Sequence, residues 1–231
     1  MPAGLKEKHH TPRLPVKGLG DLMRQAGIRA KGLNGIEVSG VTADSRCVAK
    51  GSVFVAIAGE KADGHAYIDE AIAKGCAAVV AERAFKKTRS TKDAIKKIKV
   101  DDSRQALAGL AAAYHGFPHK EMQMIGVTGT NGKTTTTHLL EGIINSGGGR
   151  PGVIGTVCTR YQGAECMASL TTPGPEILFK TLRQMADSGV THVIMEVSSH
   201  ALVQKRLHDL RFDVVLFTNI SRDHLDYHGD M

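Results

Sequence analysis

Residues 124–137 read MIGVTGTNGKTTTT, a short apolar run, the turn Gly129-Thr130-Asn131-Gly132, and then Lys133-Thr134-Thr135 opening a stretch with helical spacing. Glycines ahead of a helix start let backbone N–H groups close on phosphate oxygens with no Cβ in the way. Lys133 adds a point charge suited to β- and γ-phosphates, and the Thr134 hydroxyl suits Mg²⁺. One position departs from the pattern G-x-x-x-x-G-K-[ST]: Val127 stands where the first glycine is expected. The bland alternative is a Gly/Thr-rich turn that holds nothing. The position of Gly-Lys-Thr at a strand-to-helix junction favours phosphate.

Working outward, the chain alternates strand and helix. QMIGVTG (123–129), RPGVIGTV (150–157), THVIMEVS (191–198) and FDVVLFTNI (212–220) are near-continuous apolar runs, as expected of parallel strands buried on both faces. Between them THLLEGIINS (137–146) and EILFKTLRQMADSG (176–189) carry helical spacing and lead to glycine. Upstream, IEVSGVTADSR, SVFVAIAG, AYIDEAIAKG, CAAVVAE and KIKVDD read as strands around one helix, and a further helix runs from Ser103-Arg104 through Ala113. Gly116-Phe117-Pro118-His119-Lys120 breaks that helix and reads as a linker. The expected fold is therefore α/β. A small N-terminal α/β domain (1–117) precedes a doubly wound parallel-sheet phosphate-loop domain (118–231).

Composition restricts the function classes. With 42% hydrophobic and 23% charged residues over 231 positions, the chain has the balance of a globular protein with real cores. No apolar run approaches the ~20 residues that span a bilayer. The opening MPAGLKEKHHTPRLPVKG has no apolar h-region, so the reading expects a cytoplasmic protein. Cys47, Cys76, Cys158 and Cys166 lack C-x-x-C spacing, which argues against a zinc knuckle or a disulfide framework. Much of the net charge of +7 lies in Lys86, Lys87, Arg89, Lys92, Lys96, Lys97 and Lys99. Aromatic residues are only 4% of the chain and none interleave with that run, so a solvated helix face is the reading and nucleic acid is not an expected partner.

Two strand ends carry further chemistry. THVIMEVSSH ends its apolar run on Glu196, where phosphate-loop proteins commonly hold Mg²⁺. Ser198 and Ser199 follow, but without G-x-S-x-G, which argues against a serine hydrolase. FTNISRDHLDYHGDM supplies Asn219, Asp223, His224, Asp226 and His228 at the carboxyl end of another strand. His224 and His228 lack an H-E-x-x-H context, so the reading places one histidine near Mg²⁺ and the other in a structural role. The sequence reaches Met231 directly after this loop, and the expectation is a fragment.

Together, TGTNGKTTTT, Thr171-Thr172-Pro173, MEVSSHALVQKR and FTNISRDHLDYHGDM resemble the Mur ligase family, in particular members that add the third residue of the peptidoglycan stem peptide. TADSRCVAKGSVFVAIAGEKADGHAYIDEAIAKGCAAVV resembles the same family's first domain. The resemblance implies an ATP- and Mg²⁺-dependent ligase acting on UDP-N-acetylmuramoyl-L-alanyl-D-glutamate and a diamino acid, meso-diaminopimelate or lysine, as a monomer. It implies ATP on Gly129, Thr130, Asn131, Gly132, Lys133, Thr134 and Thr135. It places the UDP-linked substrate on Ser45, with its neighbours Asp44 and Arg46, and on Glu60, Lys61, Ala62, Thr171, Thr172, Ser198, Gln204 and Arg206. Metal ligation falls to Thr134, Glu196 and His224, and catalysis to Lys133, Glu196 and His224. Family members also carry a carbamylated lysine beyond the position of Met231 and a C-terminal amino-acid-binding domain, so this stretch alone is expected to be inactive. Two alternatives are a folylpolyglutamate synthetase-like ligase, which shares the loop wording, and a nucleotide-binding module without ligation. No N-K-x-D supports a guanine site.

Overall fold

The computed structural model describes residues 16–59, 62–83, 95–207 and 210–221. The first unit opens with β1 (Lys17–Gly18) and α1 (Leu19–Gln25), and β2 (Glu37–Val38) pairs antiparallel with β1. Next come β3 (Gly40–Thr42), β4 (Ser52–Ala56), α2 (Ile68–Ala73), β5 (Ala78–Ala81) and β6 (Lys96–Lys99). The strands β3 to β6 lie side by side in chain order as a parallel four-stranded sheet.

Every residue of β4 and β5 is buried, and the period of two divides them between two cores. Val53, Val55, Ala78 and Val80 pack with Leu19, Leu22, Leu107 and Leu110. Phe54, Ala56, Val79 and Ala81 pack with Ile72 of α2. The basic run is corrected here. The strand read from KIKVDD is present as β6, so Lys96, Lys97 and Lys99 lie on an edge strand and not on the solvated helix face expected for the run. Edge lysines discourage pairing with another chain. Lys86, Lys87, Arg89 and Lys92 fall outside the described residues.

The helix α3 (Ser103–Tyr114) is capped by Asp102, whose side chain accepts from the Gln105 amide. Its small residues allow close approach on two sides. Leu107 and Leu110 enter the first unit's core, while Ala111 and Ala112 enter the core of the second. The expected linker is itself packed: Phe117 takes a left-handed backbone (φ 56°), touches both cores and leads into a 3₁₀ turn, Pro118–Glu121.

The second unit runs β7 (Gln123–Thr128), α4 (Lys133–Ser146), β8 (Pro151–Ile154), β9 (Cys158–Tyr161), β10 (Ala164–Met167), α5 (Pro175–Asp187), β11 (His192–Glu196), α6 (Ser199–Val203) and β12 (Val214–Phe217). Its six strands are ordered β10-β9-β8-β11-β7-β12. Leu178, Phe179, Leu182 and Met185 of α5 cover one face, and Leu140 and Ile144 of α4 lie on the other, so the sheet is doubly wound as expected.

Two expectations need correction. The sheet is mixed, because β9 and β10 form an antiparallel hairpin at its edge. Gln162 (φ 45°) and Gly163 (φ 80°) make its two-residue turn, and left-handed backbone at both positions matches the twist of paired strands. Burial on both faces also fails for β12. Among the described residues it pairs with β7 alone, and Val214, Val215 and Phe217 are 51%, 62% and 63% exposed.

Candidate functional site

The carboxyl ends of β7, β11 and β12 meet at the glycine turn. Parallel pairing sets Glu196 of β11 opposite Val127 of β7, and Phe217 of β12 opposite Thr128. Gly129 has a φ of 129°, and a Cβ there would fall 2.2 Å from the Thr218 hydroxyl and 2.7 Å from the Asn219 carbonyl. Only glycine fits. Gly132 (φ 84°) reverses the chain into α4, leaving the helix's first N–H groups without a side-chain cap and facing the turn.

The 218–221 segment braces this turn. Thr130 N–H donates to Asn219 O at 3.0 Å, and Asn131 N–H donates to Asn219 Oδ1 at 3.0 Å. Asn219 Nδ2 donates to Asn131 O at 3.1 Å, and Thr218 Oγ1 donates to the same carbonyl at 2.7 Å. The Lys133 ammonium folds over the turn, donating to Gly129 O at 2.5 Å and Thr130 O at 2.9 Å. Thr134 is half-buried and Thr135 exposed on the first turn of α4.

Glu196 is 1% exposed at the end of β11. Its carboxylate accepts from Thr156 twice, from the hydroxyl at 2.8 Å and the amide at 3.3 Å. Among the described residues no cation pairs with it, although a buried carboxylate is costly without one. A buried, cation-free carboxylate at the strand end beside the glycine turn fits a divalent ion shared with phosphate oxygens. Thr134, on the first turn of α4, is the hydroxyl expected from the sequence to join it. No cluster of three or more metal-type side chains forms among the described residues, and His224 lies outside them.

The substrate-side candidates converge around the same strand end. Thr172, fully buried, donates from Oγ1 to Glu196 O at 2.8 Å and accepts from the Ser198 amide at 3.0 Å. Thr171 Oγ1 meets Thr156 Oγ1 at 3.1 Å. Ser198 caps α6 by accepting from Ala201 N–H. Arg206 donates to Thr172 O at 2.6 Å and, from Nε and Nη2, to Gln204 Oε1. Thr171, Thr172, Glu196, Ser198, Gln204 and Arg206 thus form one connected network.

Ser45 belongs to the first unit, 9% exposed in a 3₁₀ turn after β3. Its hydroxyl donates to Glu70 Oε2 at 3.4 Å and its carbonyl accepts from Lys74 Nζ at 2.7 Å. Arg46 hydrogen-bonds the Asp44 carboxyl from Nε and Nη2, and this pairing holds Asp44 down at about 2. Ala62 closes a tight turn by accepting from Gly59 N–H at 3.0 Å, while Glu60 and Lys61 fall outside the described residues. Ser45 and Ala62 belong to the first unit, whereas Thr171, Thr172, Glu196, Ser198, Gln204 and Arg206 belong to the second. One tie between the two units is the Ala43 amide, which donates to Glu176 Oε1 at 2.7 Å.

Thr156 and Thr218 were not singled out in the sequence. Both follow strand ends, but a lone threonine there has no spacing signature.

A glycine turn between a parallel strand and a helix, with a buried acid ending the neighbouring strand, defines the phosphate-loop class of α/β proteins. The chain belongs to the Mur ligase family: the family's catalytic-domain model matches residues 37–115 and its middle-domain model residues 127–231. It is 48% identical over 188 residues to the UDP-N-acetylmuramoyl-L-alanyl-D-glutamate–2,6-diaminopimelate ligase of Geobacillus kaustophilus, which covers 81% of this chain and 37% of that relative. A solved UDP-N-acetylmuramoyl-L-alanyl-D-glutamate–2,6-diaminopimelate ligase superposes with a TM-score of 0.75 at 27% identity, over 90% of this chain and 42% of that one. The MurF ligase of Thermotoga maritima in complex with ADP matches at a TM-score of 0.51 and 26% identity, over 82% of this chain and 39% of that one. The chain spans less than half the length of these relatives.

Proposed function

We propose that this chain is the substrate- and nucleotide-binding part of an ATP-dependent amide ligase. The ligase extends UDP-N-acetylmuramoyl-L-alanyl-D-glutamate with a diamino acid, in cytoplasmic peptidoglycan synthesis. Residues 1–117 take the UDP end of the substrate through Ser45, Glu60, Lys61 and Ala62. Residues 118–231 take ATP and the muramoyl-peptide, and the protein acts as a monomer. The observation that carries the reading is the single network running from Glu196 through Thr172 and Thr171 to Ser198 and Arg206, beside the glycine turn.

The chemistry follows from charge. A carboxylate acylates poorly, so the D-glutamate carboxylate first attacks the γ-phosphorus of ATP, with ADP leaving. The amine then attacks the acyl phosphate carbon, forming the amide as inorganic phosphate leaves and the amine gives up a proton. Both reactants are anions that repel, and positioning them is most of the catalytic work. Residues 129–135 take the phosphates chiefly through the uncapped N–H groups at the start of α4, since those of Thr130 and Asn131 are held by Asn219, and Lys133 offsets charge on the transferring group. Arg206, held by Gln204 and the Thr172 carbonyl, offers its fixed positive charge to an anionic group of the dipeptide. Mg²⁺, when bound by Thr134, Glu196 and His224, neutralises phosphate charge.

Calorimetry with Mg²⁺-ATP, Mg²⁺-GTP and UDP-N-acetylmuramoyl-L-alanyl-D-glutamate tests the reading. Binding of ATP and of the dipeptide nucleotide, with GTP excluded, is the expected result. Nucleotide binding without dipeptide binding would favour a nucleotide module instead. Phosphate release and amide product are expected to be absent with this chain alone.

A further inference from the structure

We propose that Thr156 is a positioning residue that couples the carboxylate of Glu196 to the hydroxyl of Thr171, linking the cation side of the site to the muramoyl-peptide side. This inference rests on the ligase reading above. A threonine hydroxyl has one proton and two lone pairs. An ionised carboxylate only accepts, so the Thr156 proton is directed to Glu196 Oε2 at 2.8 Å. The 3.1 Å approach of Thr171 Oγ1 is then filled by the proton of Thr171. The hydrogen bonds therefore run in one direction, from Thr171 to Thr156 to Glu196.

Two consequences follow for the site. Thr171, its proton spent on Thr156, presents only lone pairs to a neighbouring ligand and favours an N–H or O–H donor from the substrate. Glu196 is held at both oxygens by one residue, because the Thr156 amide also reaches Oε1 at 3.3 Å. Gly155 makes that grip possible, since a Cβ there would lie 2.5 Å from Oε1 and force the carboxylate aside. A cation on Glu196 draws charge from the oxygens that Thr156 donates to. Hydrogen bonds in series polarise one another, so the change reaches Thr171. Linkage then requires the substrate to alter cation affinity by the same factor.

The test is the affinity of this chain for UDP-N-acetylmuramoyl-L-alanyl-D-glutamate, measured by calorimetry with a non-hydrolysable ATP analogue in EDTA and in saturating Mg²⁺. For the unaltered chain we expect the two affinities to differ by about fivefold or more, within the usual range for coupled sites. Thr156→Ser keeps the hydroxyl and should keep that ratio. Thr156→Val should bring the ratio close to one. Gly155→Ala, which leaves the hydroxyl in place and displaces the carboxylate, should do the same and decides the matter if Thr156→Val fails to fold. A ratio that survives both variants overturns the coupling role, as does a ratio of one in the unaltered chain. If the unaltered chain binds neither ligand, the ligase reading itself falls and takes this inference with it.

Discussion

The backbone amide of Ala43 donates to the Glu176 carboxylate at 2.7 Å, joining the turn after β3 to the first turn of α5. Ala43 lies just ahead of Asp44-Ser45-Arg46, and Glu176 follows Thr171-Thr172-Pro173 closely. The proposed uridine side and muramoyl side are therefore held in a fixed relation by a charge-assisted hydrogen bond. Lys205 and Asp102 add a second tie between the units, next to Arg206. Burial opposes the charge on Asp102, but the Lys205 and Gln105 hydrogen bonds outweigh it and lower its pKa.

Glu176→Ala should loosen this relation. Charge-assisted hydrogen bonds are worth ~1.5–3 kcal/mol, and partial exposure reduces that here to about 1 kcal/mol. Urea unfolding of this chain should show the loss, with Glu176→Gln recovering part of it. Equal stability of Glu176→Ala and the unaltered chain would mean the bond ties nothing.

Lys133→Ala should weaken Mg²⁺-ATP binding by ~10-fold or more, the equivalent of about 1.5–3 kcal/mol for a charged contact. The lysine sits on the turn's own carbonyls and packs in no core cluster, so circular dichroism and melting temperature should change little. An unchanged nucleotide affinity would remove the phosphate-loop assignment.

Gly129→Ala tests the close approach of the two strand ends. The added methyl would overlap the Thr218 hydroxyl and the Asn219 backbone, and the φ of 129° is hostile to any side chain. A loss of ~2 kcal/mol or more in denaturant unfolding is expected, together with loss of nucleotide binding. A stable Gly129→Ala protein would show that the 218–221 brace is free to shift.

The parts of this molecule that could be read from sequence are those with a local cause. The Gly129–Lys133 turn announces itself because backbone reversal needs glycine, and β7, β8 and β11 are buried on both faces and so read as apolar runs. The hairpin of β9 and β10 escaped because Cys158-Thr159-Arg160-Tyr161 and Ala164-Glu165-Cys166-Met167 alternate weakly, and Gln-Gly is a muted turn signal beside Asn-Gly. The brace of Thr218 and Asn219 on Thr130 and Asn131 joins segments far apart in the chain, and so does Thr156 on Glu196. Such pairings come from strand order, which no local pattern encodes. Glu60, Lys61 and His224 fall outside the described residues.

Arg206→Ala should weaken binding of UDP-N-acetylmuramoyl-L-alanyl-D-glutamate far more than binding of ATP. The guanidinium is held by Gln204 Oε1 and the Thr172 carbonyl, inside the network proposed for the dipeptide. Arg206→Lys should recover little, because an ammonium cannot reproduce the planar fork. Equal losses for the two ligands in calorimetry would place Arg206 outside the dipeptide site.

His115 gives this chain a stability change in mild acid. It ends α3 with 9% exposure, its Nδ1 buried without a hydrogen-bond partner and its ring edge-on to Tyr114. Burial, with the nearby charges of Lys17, Lys180 and Arg183, lowers its pKa from 6.5 to about 4. The unfolded chain therefore binds this proton more readily than the folded one. The contribution is fully present above about pH 6.5 and drains away as pH falls towards 4. A depression of this size corresponds to roughly 2–3 kcal/mol at pH 4 relative to pH 7. Asp44, held at about 2, and the lowered carboxyls of Asp102 and Glu121 lose their contributions at more acidic pH. Urea unfolding between pH 7 and pH 5 therefore separates the histidine range from that of the carboxylates, and the His115→Gln comparison assigns the share that belongs to His115. The unaltered chain should lose stability across that interval, and His115→Gln, which cannot take up the proton, should be nearly flat. A His115→Gln chain that weakens as steeply as the unaltered one would assign the acid sensitivity to another group.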